Sequence, residues 1–420
     1  MTDREFAIDV VYRLRQSGYE ALWAGGCVRD ELLGLAPADY DVATSARPEQ
    51  VTATFRRTIE VGASFGVVEI IGPRRQNGSI PKVQVATFRC DGAYTDGRRP
   101  DSVTFATAEE DAQRRDFTIN GMFFDPIGGR IIDYVGGQAD LRAKTLRAIG
   151  DAHARFREDK LRLLRAVRMA ARFEFPIEAA TAAAIREMSA QITVVSPERI
   201  AEELRKILAH PNRAWAVSQM AELGLLHPVL PEASASASAN EAWLQTLDVL
   251  RRLDGPRWPE PAAVSFPLAF AALMFRLGAR SAVGAGKRLR FSNDEVSRVE
   301  LLIEHVASLT HALTMKASQL NPILVHAGIG ELLALNRAIA GASGESLAVV
   351  EHCEQILRTV PRAELDPPPL LTGDDLISNG WSPGPYFKKV LEAVREAQLD
   401  RTIATKDDAF QMAETMKAYS

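Results

Sequence analysis

A chain of 420 residues with 46% hydrophobic and 25% charged side chains has the composition of a folded globular protein, and it is too long for one compact core, so two to four sub-domains are expected. The balance of 50 basic against 54 acidic residues speaks against a uniformly basic nucleic-acid binder, yet residues 142–213 carry fifteen Lys or Arg against nine Asp or Glu, a local excess that can attract phosphate. Cys27, Cys90 and Cys353 have neither metal-ligand spacing nor an even count, and neither a signal peptide nor a membrane-crossing run is read, so a reducing cytoplasm is the expected location.

The chain opens on an amphipathic helical pattern, MTDREFAIDVVYRLRQSGY. Short apolar runs then alternate with glycine turns: ALWAGG, DYDVAT, GVVEII, KVQVATF, INGMFFDP and RIIDYVGG read as strands, some with helices between them. From about Asp140 apolar residues recur every three or four positions, as in EDKLRLLRAVRMAARF and SPERIAEELRKILAH, and strand signals nearly vanish. ASASASAN near 233–240 and RTVPRAELDPPPLL near 358–371 are the expected joints. The fold class is therefore an α/β part with a mixed sheet and helices up to about Asp140, followed by an all-α remainder.

Gly25 and Gly26 follow the strand ALWA and precede the helical run DELLGL. Such a turn lets backbone N–H groups approach phosphate, and Arg29 could add a charge-assisted contact. Taken alone the pattern is more often a tight turn with a surface arginine. A few residues on, Asp39 and Asp41 flank Tyr40, and the two-residue strand period turns both carboxylates to one face. Paired aspartates can hold two Mg²⁺ ions for in-line nucleotidyl displacement, although a single acid-x-acid pair is usually a solvated strand end. Neither Walker nor Rossmann glycine spacing occurs, which excludes P-loop kinases and dinucleotide oxidoreductases.

Together these residues, GGCVRDELLGLAPADYDVAT, resemble the first motif of the class II tRNA nucleotidyltransferase and bacterial poly(A) polymerase family. RRDFTINGM, beginning at Arg114, resembles that family's second motif, which implies that Arg115, Asp116 and Asn120 hold the sugar and phosphates of the incoming nucleotide. Glu158-Asp159-Lys160-Leu161-Arg162 resembles its nucleotide-selecting E-D-x-x-R motif. On a continuous helix Glu158 and Arg162 are four apart and Asp159 and Arg162 three apart, so one face offers an acceptor and a donor fork to a base edge. The bland alternative is a surface ion pair. Arg165, Arg168 and Arg172 would extend a basic surface, and SPERIAEELRKIL resembles a bracing motif, with Ser196 as cap, Pro197 in the first turn and Arg199 paired with Glu202 or Glu203.

The resemblance implies a nucleotidyltransferase head at 1–140, a neck at 141–215, a body at 216–355 and a tail at 356–420 that meets tRNA. It implies CTP and ATP as substrates, two Mg²⁺ ions at Asp39 and Asp41, and the tRNA acceptor arm and 3′ end as partner. The aperiodic stretch 91–111 resembles a flexible loop used in switching from cytidine to adenosine addition, with Arg98 and Arg99 near substrate. Gln84 stands where many relatives carry an acid, and Glu69 on the preceding strand is the candidate replacement. No His-Asp phosphohydrolase motif occurs in ALMFRLGA. Poly(A) polymerases, enzymes adding only cytidine or only adenosine, and a catalytically retired RNA-binding descendant remain the alternative readings. The run EVGASFGVVEI resembles the tRNA enzymes rather than the polymerases, and intact Asp39, Asp41, Arg115, Asp116, Asp159 and Arg162 speak against retirement.

Overall fold

The computed structural model describes residues 1–420 except 63–65, 77, 92–102, 235–240, 256–262 and 419–420. Its contacts divide the chain into two compact units, Met1–Ile207 with Trp215–Pro231, and Leu208–Ala214 with Glu232–Ser420.

The first unit begins with α1 (Asp3–Gln16), where Thr2 accepts from the Glu5 N–H and the Glu5 carboxylate accepts from the Thr2 N–H, satisfying two otherwise orphaned donors. Phe6, Val10, Val11 and Leu14 form its buried stripe. The chain continues through β1 (Ala21–Ala24), α2 (Gly26–Leu32), β2 (Asp41–Thr44), α3 (Pro48–Thr54), β3 (Thr58–Gly62), β4 (Val67–Ile71), β5 (Lys82–Thr87), β6 (Arg89–Asp91), β7 (Val103–Phe105), α4 (Ala108–Gln113), β8 (Phe123–Asp125), β9 (Arg130–Ile132) and α5 (Gly137–Arg142). Seven strands form one sheet in the order β3-β4-β5-β2-β1-β8-β9, and β6 pairs with β7 separately. The β2–β5 pairing is parallel and the others are antiparallel, so the sheet is mixed, as expected.

Every residue of β1 is buried, which places it at the middle of the unit. Leu22 and Ala24 pack with Ala43, Phe88, Phe123, Ala108 and Ala112 on one side. Trp23 meets Tyr40 at 4.7 Å and Phe124 at 5.6 Å between ring centroids. Full burial of a ring such as Phe123 contributes roughly 2 kcal/mol.

Two stretches differ from expectation. The aperiodic segment at 91–111 contains β7 and the start of α4, the helix being started by Thr107 with Glu110 in a reciprocal cap. Three-residue strands and a six-residue helix are too short to show periodicity. RIIDYVGG is strand only over β9, because the Asp133 carboxylate accepts from the Val135, Gly137 and Gln138 N–H groups and turns the chain into α5.

Helices then take over: α6 (Ala152–Glu158), α7 (Arg162–Phe173), α8 (Ala179–Met188) and α9 (Pro197–Ala209). The second unit is helical throughout its described residues. Fully buried Arg213 anchors part of it, donating to Leu208 O at 2.8 Å, Leu250 O at 3.2 Å and the Asp254 carboxylate at 2.7 and 3.1 Å. Near the C-terminus Leu376, Trp381, Val390 and Val394 form a separate cluster. Phe266–Arg288 is, against expectation, long and apolar enough to cross a membrane by length and composition. It is broken at Phe275–Leu277 and at Gly278, whose φ is +78°, and Phe266–Met274 is largely buried within its unit, the behaviour of a core helix.

Candidate active site: a charged cavity in the first unit

A cavity of about 570 Å³ opens beside the β1–α2 turn, lined by Gly25, Gly26, Arg29, Asp30, Ala38, Asp39, Asp41, Arg114, Arg115, Asp116, Asn120, Asp159, Leu161, Arg162, Arg165, Met169, Arg172 and Arg199. It brings together the glycine turn, Arg29, both aspartates, Arg115, Asp116, Asn120, Asp159, Arg162 and Arg165, all singled out in the sequence, along with Arg172 and Arg199. Glu158 lines a neighbouring cavity with Cys90, Glu109 and Arg155 instead. Arg98 and Arg99 lie outside the described residues.

The turn needs its glycine. Gly25 has φ +74° and ψ −125°, and a Cβ there would stand 3.0 Å from Arg115 Nη1. Helix α2 starts at Gly26, earlier than its apolar pattern suggests. The Gly25 N–H is spent on Met122 O at 3.2 Å, so any phosphate contact falls to the amides of the first turn of α2.

Arg29, expected to add a charge-assisted contact to phosphate, is buried and bonded to protein groups, and it is not a surface arginine. It is 3% exposed, stacks on Phe173 at 4.5 Å, and binds Asp30 Oδ1 through Nε at 2.8 Å and Nη2 at 2.6 Å, while Nη1 donates to Asn120 Oδ1. Asn120 Nδ2 donates to Asp116 Oδ1 at 3.1 Å, and Asp116 Oδ2 accepts from Arg165 at 2.9 and 2.6 Å. At the other end Arg172 reaches Asp30 Oδ2 at 3.0 Å. One continuous network thus ties α2, the second motif and α7. Burial alone would raise the Asp116 carboxyl, but the Arg165 charge and the bonds from Asn120 and Arg165 outweigh it and hold the group far below the usual carboxylate range.

The E-D-x-x-R residues do not share one helix. Helix α6 ends at Glu158, Asp159 is extended at φ −139° and ψ 105°, and α7 begins at Arg162. Asp159 Oδ1 accepts from the Leu161 N–H at 3.0 Å, an Asx-type bond that competes with helix continuation. Arg162 Nη1 donates to Glu158 at 2.7 Å and to Arg155 O at 3.0 Å, and Nη2 donates to Arg114 O at 2.9 Å. Pro197 opens α9 as expected, but Arg199 pairs with Asp159 at 2.8 Å rather than with Glu202 or Glu203. Glu203 is occupied by Arg168 at 2.6 Å, so Arg168 and Arg172 are internal ties rather than free basic surface.

Tyr40 is buried and donates to Glu31 Oε1 at 2.8 Å, while Asp39, just before β2, and Asp41, its first residue, both line the cavity. Burial, then the Asp39 charge, pushes the Asp41 carboxyl up to about 6, with Arg115 opposing. In register, Asp41 stands beside Gln84, and Gln84 beside Glu69. Two strand spacings, about 10 Å, separate Glu69 from Asp41, and Glu69 is held by Lys82 at 2.9 Å, so it does not complete a three-acid set. Among the described residues no cluster of three or more His, Cys, Asp or Glu could hold a metal ion.

Seven arginines and five aspartates line the cavity. Each arginine has an acidic partner, and Asp30, Asp116 and Asp159 have arginine partners. Among the described residues only Asp39 and Asp41, of the charged groups lining the cavity, make neither an ion pair nor a side-chain hydrogen bond. Two unpaired carboxylates facing one cavity suit Mg²⁺, which takes one or two protein carboxylates and fills its remaining positions with water and substrate phosphate. Sequence reading missed Asp111, 1% exposed, which holds Arg114 at 2.6 Å and Arg115 at 2.8 Å. Its spacing three and four residues before the two arginines was the available signal.

The mixed sheet, the two open aspartates and the arginine-lined cavity define a nucleotidyltransferase. Residues 21–147 match the model of the Poly A polymerase head domain, and 174–236 that of the probable RNA and SrmB-binding site of polymerase A. The CCA-adding enzyme of Geobacillus thermodenitrificans (strain NG80-2) is 33% identical over 96% of this chain and 94% of its own length. That of Geobacillus stearothermophilus is 32% identical over 96% and 94%. The crystal structure of the Bacillus stearothermophilus CCA-adding enzyme in complex with CTP superposes with a TM-score of 0.78 at 27% identity, covering 100% of this chain and 99% of that one. The chain belongs to the family of CCA-adding enzymes.

Proposed function

We propose that this chain adds cytidine, cytidine and adenosine to the 3′ end of tRNA, using CTP and ATP and releasing pyrophosphate. The terminal hydroxyl of the RNA attacks the α-phosphorus, a new phosphodiester forms, and the bond to the β-phosphate oxygen breaks. Carrying this reading is the pairing pattern of the cavity, where, among the described residues, Asp39 and Asp41 alone of its charged side chains are unmatched. Those two carboxylates would hold two divalent ions, which when bound acidify the attacking hydroxyl and neutralise the triphosphate.

Arg115 and Arg165 face the triphosphate, and Asp116 with Asn120 addresses the ribose, with Asp116 bonded to both Asn120 and Arg165. Gly25 and Gly26 keep side chains out of the phosphate path, and buried Arg29 fixes Asn120. Asp159 accepts from an exocyclic amine, and Arg162 donates its remaining N–H groups to the adjacent ring nitrogen. Cytosine and adenine both present an acceptor nitrogen beside an amine, whereas uracil and guanine present a donor N–H beside a carbonyl, so a single donor–acceptor pair accepts the first two and rejects the others. Glu158 orients Arg162 and Arg199 orients Asp159. In this organisation 1–140 performs the chemistry, 141–215 selects the base, and 216–355 with 356–420 engages tRNA.

The test is incubation of the purified chain with tRNA transcripts ending before CCA, with each nucleoside triphosphate alone and with CTP and ATP together, read as product length. CTP alone should give two added residues, and both together three. A long ladder with ATP alone would mark a poly(A) polymerase, and RNA binding without any product would mark a retired enzyme.

A further inference from the structure

We infer that Asp111 is a positioning residue whose task is to keep Arg115 off the metal-binding carboxylates. The inference rests on the assignment of Asp39 and Asp41 as those carboxylates. Asp111 is nearly inaccessible, and its two oxygens divide their work. Oδ1 accepts from Arg114 Nε at 2.9 Å and Nη2 at 2.6 Å, and from the Arg89 N–H at 3.3 Å. Oδ2 accepts from Arg115 Nε at 3.2 Å and Nη2 at 2.8 Å, a forked grip that fixes the plane of that guanidinium. Only Nη1 of Arg115 projects further, touching Asn120 O at 3.5 Å.

Arg115 lines the same cavity as Asp39 and Asp41. Released from Asp111, it has few places to go. Asp30, Asp116 and Asp159, the other acids lining the cavity, are already held by Arg29, Arg165 and Arg199. The unmatched carboxylates are Asp39 and Asp41, and a guanidinium fork across them would take the oxygens a divalent cation needs. Asp111 therefore acts by occupying a competitor. Its grip on the Arg89 N–H also fixes the start of β6 relative to the same two arginines.

Mn²⁺ binding to the full chain, followed by electron paramagnetic resonance in the absence of nucleotide and RNA, tests this without reference to turnover. Asp111→Asn keeps the shape and removes the charge, and its apparent Kd for Mn²⁺ should rise about tenfold. The double variant Asp111→Asn with Arg115→Gln should return to within about twofold of Arg115→Gln alone, because the competitor is gone. Asp111→Asn binding Mn²⁺ like wild type, or the double variant binding as weakly as Asp111→Asn, would overturn the inference. Should Asp111→Asn fail to fold, judged by its melting curve, Arg115→Gln in the wild-type background decides: a Kd within about twofold of wild type supports a withheld arginine, and a several-fold tighter Kd shows that Arg115 already competes and refutes it. Wild-type binding indifferent to Asp41→Asn would instead remove the metal assignment itself.

Discussion

Asp41 carries a conflict that its neighbours relieve only in part. It sits beside a second carboxylate, partly out of water, with no cation in contact, and its carboxyl is pushed up to about 6 from 3.8. A group whose folded value is raised contributes stability that is fully present below its unfolded value and lost as pH rises through the folded one. Between pH 4 and 6 the metal-free fold therefore gives up stability as Asp41 ionises, and a bound divalent cation returns it. Mg²⁺ is expected to raise the melting temperature more at pH 7.5 than at pH 5.5, where protons compete for the same oxygens. Asp41→Asn should abolish that difference, and an equal Mg²⁺ effect at both pH values in the wild type would refute the account. Asp39→Ala or Asp41→Ala should each abolish nucleotide transfer while tRNA still binds, measured by gel assay and filter binding. Near-normal turnover in either variant would remove both from the chemistry. These two aspartates were legible from the motif they share with Gly25 and Gly26, whereas the strand period invoked for them applies to Asp41 alone, because β2 begins there and Asp39 lies before it. The Asp159–Arg199 pair was not, since forty residues separate its members and Arg199 had two closer acids on its own helix.

At the level of elements, the break between α6 and α7 is what makes Asp159 available. A continuous helix would place its side chain by the 3.6-residue repeat; the extended backbone instead lets Oδ1 bond the Leu161 N–H while Oδ2 meets Arg199. The break was hidden because residues 152–173 contain neither glycine nor proline, and because an aspartate in a helical stretch reads as a charged face before it reads as a cap. Periodicity shows that helices exist and shows their joints less well. Asp159→Asn is expected to preserve the fold while converting one acceptor into a donor that can meet the uracil O4. The ratio of kcat/KM for CTP over UTP should fall by roughly ten- to a hundredfold, and an unchanged ratio would show that base choice is made elsewhere.

Across the whole molecule, charge is distributed in two different ways. Within the cavity every arginine is matched to a carboxylate, so the site is an ordered polar lattice and a poor general trap for polyanions. Outside it, Arg142, Lys144, Arg157 and Arg186 are exposed. They belong to the stretch with the basic excess, and among the described residues they form no ion pair. A tRNA-processing enzyme has to accept bodies of many sequences, which leaves phosphates and A-form shape as the recognisable features. The four exposed cations are therefore expected to supply long-range attraction for RNA, and the cavity to supply selection of the nucleotide. Replacing the four together by alanine should weaken tRNA binding in about 0.1 M salt by at least tenfold and flatten the dependence of log Kd on log salt by about one unit per lost phosphate contact. KM for CTP, measured with tRNA saturating, should stay within about twofold, because none of the four lines the cavity. A variant with unchanged tRNA affinity and salt slope would place the RNA-attracting charge on another surface, and one with a raised KM for CTP would show that these cations and the paired arginines work as one field.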